Sequence, residues 1–449
     1  MTSSPTPSSP RPPARPLARP LTRRAFGAGV AGTAAVAGLA ACGGDSGGAA
    51  AGGGGGDLRF TWWGSDARHA LTEQAIEAYA AEEPGTTVRG EYTEWSGYWD
   101  RLATTVAAND APDVIQMDVL QLRSYADRGA LLDLAGTSID TGGIPADTLD
   151  TGRTEEGLFA VPVGINSHVV VANPALFEAA GVPLPDDTTW TWQDALDISN
   201  RISAATEPDV QGLQTMGLDE ASLQLWVSQL GGQFYEGTEV TLDPAHVASW
   251  WEYNLDAVAS GAAAGASLAV ERQAAGLSQS GTATGTAAMA VWWANQVTAL
   301  SSAAGQEMVL LRPPVQEPGG TPGVFYKASM FWSISSRSRN PEAAAAFVDW
   351  LLNSPAATEI LKVERGIPAD PERREQVVPL LEPTDAQSVE YVESLEGSTS
   401  PAPPAAPPGA STVQDLVTRY GSEVLFGNQE PRAAADAMVQ GLTNNVASA

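Results

Sequence analysis

The only thiol in this 449-residue chain, Cys42, stands directly after Leu39-Ala40-Ala41. A cysteine in that setting is a substrate for lipid chemistry. A peptidase that accepts small side chains cuts before it, and its sulfur carries a diacylglycerol. Upstream, Arg23 and Arg24 precede a small, apolar run from Ala25 to Ala41, and residues 1–41 contain five arginines and no acidic residue. This order reads as a twin-arginine export signal that feeds a lipoprotein cleavage box. Residues 1–41 are therefore expected to be removed, with Cys42 lipidated and the Gly-rich stretch 42–56 serving as a flexible tether. The apolar run is too short and too rich in Gly and Ala to cross a membrane, which takes about 20 strongly apolar residues. The expected location is the outer face of the cell membrane, held by lipid.

Other reactive constellations are missing. With Cys42 committed, neither an intrachain disulfide nor a cysteine metal site can form. His69, His168 and His246 lack ligand spacing, so no metal and no cofactor are expected. Gly44-Asp45-Ser46-Gly47-Gly48 matches a G-x-S-x-G elbow, but that motif needs a strand before it and a helix after it. Here it falls in the tether. Asp186-Asp187 occupies a polar loop without a paired acid, so glycoside hydrolysis has no framework there. A P-loop is also missing, and the chain reads as a binder rather than an enzyme. Its net charge of −29 argues against nucleic acid and anionic lipid as partners.

The elements that must position any site follow from periodicity. Leu58-Arg59-Phe60-Thr61-Trp62 alternates as a strand does. Ser65 can cap a helix with Leu71, Ala75, Ile76 and Tyr79 on its apolar face, ended by Pro84-Gly85. Strands are predicted at 88–92, 113–118, 159–163, 169–172 and 287–291. Trp95, Trp99, Leu102 and Val106 mark a helix face. Asn173-Pro174, Asn340-Pro341 and Ser354-Pro355 open helices, Gly181 closes one, and Thr191-Trp192-Gln193-Asp194 resembles a capping box. Residues 401–408 read as a proline-rich surface loop before helices near 411–426 and 431–442. Alternation of strand and helix implies α/β layers, and about 390 residues after Gly56 suffice for two lobes.

Laid out in order, these segments resemble the extracellular solute-binding proteins that serve ABC importers, in the carbohydrate-binding group that includes maltose-binding proteins. The carriers are Tyr98-Trp99-Asp100-Arg101-Leu102, Asn109-Asp110-Ala111-Pro112-Asp113-Val114 and Arg128-Gly129-Ala130-Leu131-Leu132-Asp133-Leu134. They continue with Leu158 to Gly164, Ala172 to Phe177, Gln229-Leu230-Gly231-Gly232, Gly285 to Ala290 and Arg365-Gly366-Ile367-Pro368. The resemblance implies a two-lobe, periplasmic-binding-protein-like α/β fold with a hinge and a ligand cleft between the lobes. One lobe would comprise 57–164 and 316–352, the other 165–312 and 353–449. Pro162-Val163-Gly164 and Arg312-Pro313-Pro314 would be hinge crossings. The implied partners are a carbohydrate and the membrane subunits of an ABC permease, and the chain is expected to be a monomer.

Sugars offer apolar C–H faces and polar hydroxyl edges. A site for them needs aromatic rings beside planar donors and acceptors. The candidates are Trp62, Trp63, Ser65 and Asp66 after the first strand, Asp118 after the third, and Asn166 past the hinge. Trp292, Trp293 and Asn295 end a later strand, and Tyr326 precedes the last long one. The resemblance gives the 292–293 position an aromatic platform. One tryptophan of each adjacent pair is expected to pack in the core. Trp99, Trp226, Trp250, Trp251, Trp332 and Trp350 are read as core, Trp190 and Trp192 as a staple around a cap, Trp95 as a possible cleft cap, and His168 as a satisfied polar neighbour. Asp113 is expected to bond backbone, and Arg365 to be either structural or to reach the cleft. Two rivals stay open: a secreted polysaccharide hydrolase, and a receptor for a non-sugar solute such as a quaternary amine held in an aromatic cage.

Overall fold

The computed structural model describes residues 56–449 apart from Ser65, Glu94 and Pro404. The export signal, Cys42 and the tether lie outside the described residues, as does Ser65. The principal strands are β1 (Asp57–Trp63), β2 (Thr87–Thr93), β3 (Val114–Met117), β4 (Val161–Asn166) and β5 (His168–Ala172). They are followed by β6 (Gln211–Leu213), β7 (Ala287–Trp293), β8 (Val309–Leu311), β9 (Lys327–Ile334) and β10 (Ile367–Pro368). They form two sheets, each with its own helices. The first is six-stranded in the order β10-β4-β9-β3-β1-β2, and the second four-stranded in the order β8-β5-β7-β6.

In the first sheet, β1 runs parallel to β2 and β3, while β9 lies antiparallel to β3 and β4. Leu58, Phe60 and Trp62 point into one apolar cluster with Tyr79, Trp332 and Phe347. Trp63 points to the opposite face, with Tyr98, Met117 and Phe331. Helices cover both faces, which is why the alternation of β1 fades into a wholly buried end. The helix Asp66–Glu82 buries Ala75, Ile76 and Tyr79 as its spacing predicts. Asp113 accepts from the Arg59 backbone N–H at 2.8 Å and the Ser338 hydroxyl at 2.6 Å, which fastens β1 to the turn after β9.

In the second sheet, β7 pairs antiparallel with β5 and parallel with β6. Asn173 caps the helix Pro174–Ala180 and Gly181 closes it at φ 65°. The Thr191–Asp194 capping box forms in full. Trp190 and Trp192 are buried and spend their indole N–H groups on the Arg312 carbonyl (2.9 Å) and Gln229 Oε1 (2.7 Å). Trp226, Trp250, Trp251, Trp332 and Trp350 are buried, and Trp99 is partly so. Trp95 is 47% exposed.

The structure departs from three expectations. β4 stays in the first sheet through Asn166, so the chain first crosses at Ser167 rather than at 162–164. The helix Pro355–Leu361 buries Ala357 and Leu361 in the first lobe's core, and β10 pairs with β4. A division at 352/353 therefore separates elements that pack together. Finally, the proline-rich segment is not a surface loop. Ala405 packs with the Trp63 cluster of the first lobe, and its neighbour Ala406 joins the core of the second. Prolines bring no N–H groups that need partners and hold a stiff extended backbone, so such a segment can be buried at low cost.

Candidate functional site

The carboxyl ends of β1, β2 and β3 share one edge of the first sheet, and the order and direction of strands bring the end of β4 and the start of β9 to the same edge. In the second sheet, β6 and β7 end where β5 begins, with Trp293 opposite His168 in register. Ser167 alone separates Asn166 from His168, so the two edges face one another. Carboxyl edges of α/β sheets are where ligands collect, because side chains there leave the core without leaving the scaffold.

On the second lobe, that edge holds a cavity of about 170 Å³. Its walls include His168, Gln214, Ser222, Trp292, Trp293 and Gln296. Both tryptophans are half-buried, and both line it. β7 ends there and turns into a short 3-10 segment, so neither ring is carried fully into the core. The Trp292 indole N–H donates to Thr282 Oγ1 at 3.1 Å. The Trp293 ring lies 4.1 Å from the His168 ring, and Lys327 Nζ from the start of β9 sits 4.8 Å from its centroid. A side chain of the first sheet thus reaches a ring of the second.

His168 is fully buried, and neither ring nitrogen makes a hydrogen bond of normal geometry within the described residues. Burial, then the Lys327 charge, pushes it down to about 3, against an opposing influence of the Ala221 backbone. It is a neutral imidazole beside the cavity, not the satisfied neighbour expected. Asp219 lines the same cavity, with Glu220 next to it in the chain, and Asp118 comes from the first lobe. Asp118 caps the helix Val119–Ala126 by accepting from the Leu120 N–H at 2.9 Å. Asp219 caps the helix Glu220–Gln229 through the Ser222 N–H. Enclosure by protein pushes Glu220 up to about 7. Lys327 opposes the shift, and Asp219 and Asp118 add to it.

Other expected residues are placed differently. Trp62 is fully buried, donates its N–H to His69 Nδ1 at 3.0 Å and has no face toward the cleft. Trp63 is enclosed by Trp95, Tyr98 and Trp99 at 5.0–5.4 Å. Asp66 is exposed in the first turn of its helix. Asn166 donates to Asn295 Oδ1 at 2.6 Å and accepts from the Ser167 and Asn295 N–H groups, which makes the pair a clasp at the crossing. Tyr326 donates to the Val392 carbonyl at 3.1 Å. Arg365 is buried within the first lobe, bonded to Gln116 Oε1 and Thr72 Oγ1, and so is structural. Sequence reasoning missed Gln214, Asp219, Glu220 and Gln273, and passed over Lys327. The signals for Lys327 were its place beside Tyr326 before the last long strand and its rarity, since the chain has two lysines.

A family profile described as bacterial extracellular solute-binding protein matches residues 63–358. An uncharacterised lipoprotein of Streptomyces antibioticus is 27% identical over 176 residues, which is 38% of each chain. A diacetylchitobiose binding protein of Streptomyces coelicolor is 27% identical over 182 residues, 39% of this chain and 42% of that one. The matches thus span less than half the length of these two relatives. An extracellular solute-binding protein of family 1 from Alicyclobacillus acidocaldarius superposes with a TM-score of 0.70 at 25% identity, over 88% of this chain and 99% of that one.

Proposed function

The chain belongs to the bacterial extracellular solute-binding proteins, and on that premise we propose that it captures a sugar or oligosaccharide between its lobes and hands it to the membrane subunits of an ABC importer. The observation that carries this reading is the cavity at the end of β7, where two half-buried indoles meet the amides of Gln214, Gln273 and Gln296. Flat apolar faces beside planar donors and acceptors are what a sugar ring needs. The lipoprotein and sugar-binding names among the relatives agree with it. Trp292 and Trp293 serve as platforms, with Asp118 and Lys327 approaching from the first lobe. Trp63 and the Asn166–Asn295 clasp support the cleft walls. Closure around ligand favours the lobe arrangement that makes both sets of contacts. The ligand leaves chemically unchanged.

A thermal-shift screen across mono- and oligosaccharides tests the reading. A ligand that binds only the folded state raises the melting temperature by mass action. Shifts confined to amines, peptides or other non-sugar solutes would sink it. Cys42 anchors the protein in this scheme. Cys42→Ser should move it from the membrane fraction to the medium, and an unchanged distribution would remove the anchor.

A further inference from the structure

The cavity does not end at Trp292. A second compartment of about 200 Å³ abuts the first. Gln214, Thr215, Asp219, Gln273, Trp292 and Gln296 line both. The Trp292 indole is held on Thr282, so the shared wall is fixed rather than adaptable. Each compartment is large enough to admit a pyranose ring, and Trp292 stands between the two.

The outer ends of the compartments differ in chemistry. The first ends on Trp293 and on His168, a buried neutral imidazole. The second ends on Arg272 and Ser280. Arg272 donates to Thr286 Oγ1 at 2.5 Å and weakly to Gln211 Oε1 at 3.4 Å, and no carboxylate of the described residues lies within ion-pair distance of it. A guanidinium without a carboxylate, next to a cavity, seeks an acceptor oxygen from whatever fills that cavity.

We propose that the site is built for a disaccharide unit, with one ring between His168 and Trp292 and the other between Trp292 and Arg272. Arg272 is then a specificity-determining residue that reads an oxygen substituent on the second ring. This rests on the cavity being the sugar site.

Calorimetric titration of the mature protein with two length series tests it: glucose, maltose and maltotriose, and N-acetylglucosamine, its disaccharide diacetylchitobiose and the corresponding trisaccharide. In the series that binds, the disaccharide should bind at least tenfold more tightly than its monosaccharide, and the third ring should add less than about threefold. Arg272→Gln should bring disaccharide affinity close to that of the monosaccharide. Monosaccharide affinity should fall far less than disaccharide affinity. Equal binding of mono- and disaccharide, a full further gain from the third ring, or an equal loss for both lengths in Arg272→Gln overturns the two-ring inference while the sugar reading stands. Binding by neither series, nor by any other sugar in the thermal screen, overturns both.

Discussion

Trp292 and Trp62 are both tryptophans near the carboxyl end of a strand, yet their surroundings assign them opposite work. Trp292 keeps part of its ring on the cavity, whereas Trp62 is wholly enclosed by Phe60, His69 and Tyr92. Trp292→Ala should weaken ligand binding by about 2 kcal/mol or more, roughly thirtyfold in Kd, with a smaller loss of stability than Trp62→Ala. Trp62→Ala should do the reverse, costing roughly 3–5 kcal/mol in denaturant unfolding from lost burial and a cavity. Titration and unfolding of the two variants decide this, and similar profiles would erase the distinction. Glu220 adds a pH signature. Its carboxyl is raised in the folded protein above its ordinary value of 4.5, to about 7. The folded state therefore holds the proton more tightly than the unfolded chain. The resulting penalty is absent below about pH 4, grows as pH rises through the window between the two values, and is complete above about 7. Glu220→Gln should leave stability unchanged near pH 4 and raise it at pH 8, by at most about 3 kcal/mol. An equal effect at both pH values would show that Glu220 is not protonated preferentially in the fold.

The element with the least expected role is the proline-rich segment. Its backbone is tied to the crossing by the Ser400 N–H, which donates to the Val324 carbonyl at 2.7 Å. Successive alanines at 405 and 406 then enter the apolar clusters of different lobes. It acts as a strap across the junction. If it were a surface loop, Ala405→Glu would change stability by less than about 0.5 kcal/mol. As a strap it should cost about 3 kcal/mol or more, because the new carboxylate is buried without a partner. Urea unfolding of this variant beside Ala433→Glu, the same exchange at an exposed alanine of the helix Pro431–Ala447, reads the difference.

At the scale of the molecule, the chain crosses between the lobes three times, and among the side chains that also bridge them is Arg123. Arg123, on the first lobe, donates from Nη1 to the Gly237 carbonyl of the second at 3.3 Å, while its other nitrogens engage Asp127 and Glu155. A hinge motion that opens the cleft must break this bridge. Removing it should favour the open arrangement by about 1 kcal/mol, the worth of one ordinary hydrogen bond. Arg123→Ala should thus loosen ligand affinity up to about fivefold and enlarge the ligand-free radius of gyration in small-angle scattering. The saturated protein should keep its radius. Unchanged scattering and affinity would show that Arg123 has no part in closure.

The sequence by itself determined the local elements. The alternation in β1, the Asn173 and Thr191 caps, the stop at Gly181 and the helical stripe of Ala75, Ile76 and Tyr79 all depend on neighbours within about a turn or two of the chain, where periods of 2 and 3.6 residues operate. The role of Asp113 came from the resemblance rather than from any period, and Trp250, Trp251 and Trp332 do lie in the core. Only the tertiary structure decided which strand ends face each other. It brought Asp118, Glu220, Lys327 and Trp293 to one gap and spent Asn166 on Asn295. It also moved the crossing to Ser167 and carried the proline-rich strap through the core. Those outcomes depend on strand order and on contacts between residues far apart in the chain, and no local period encodes them.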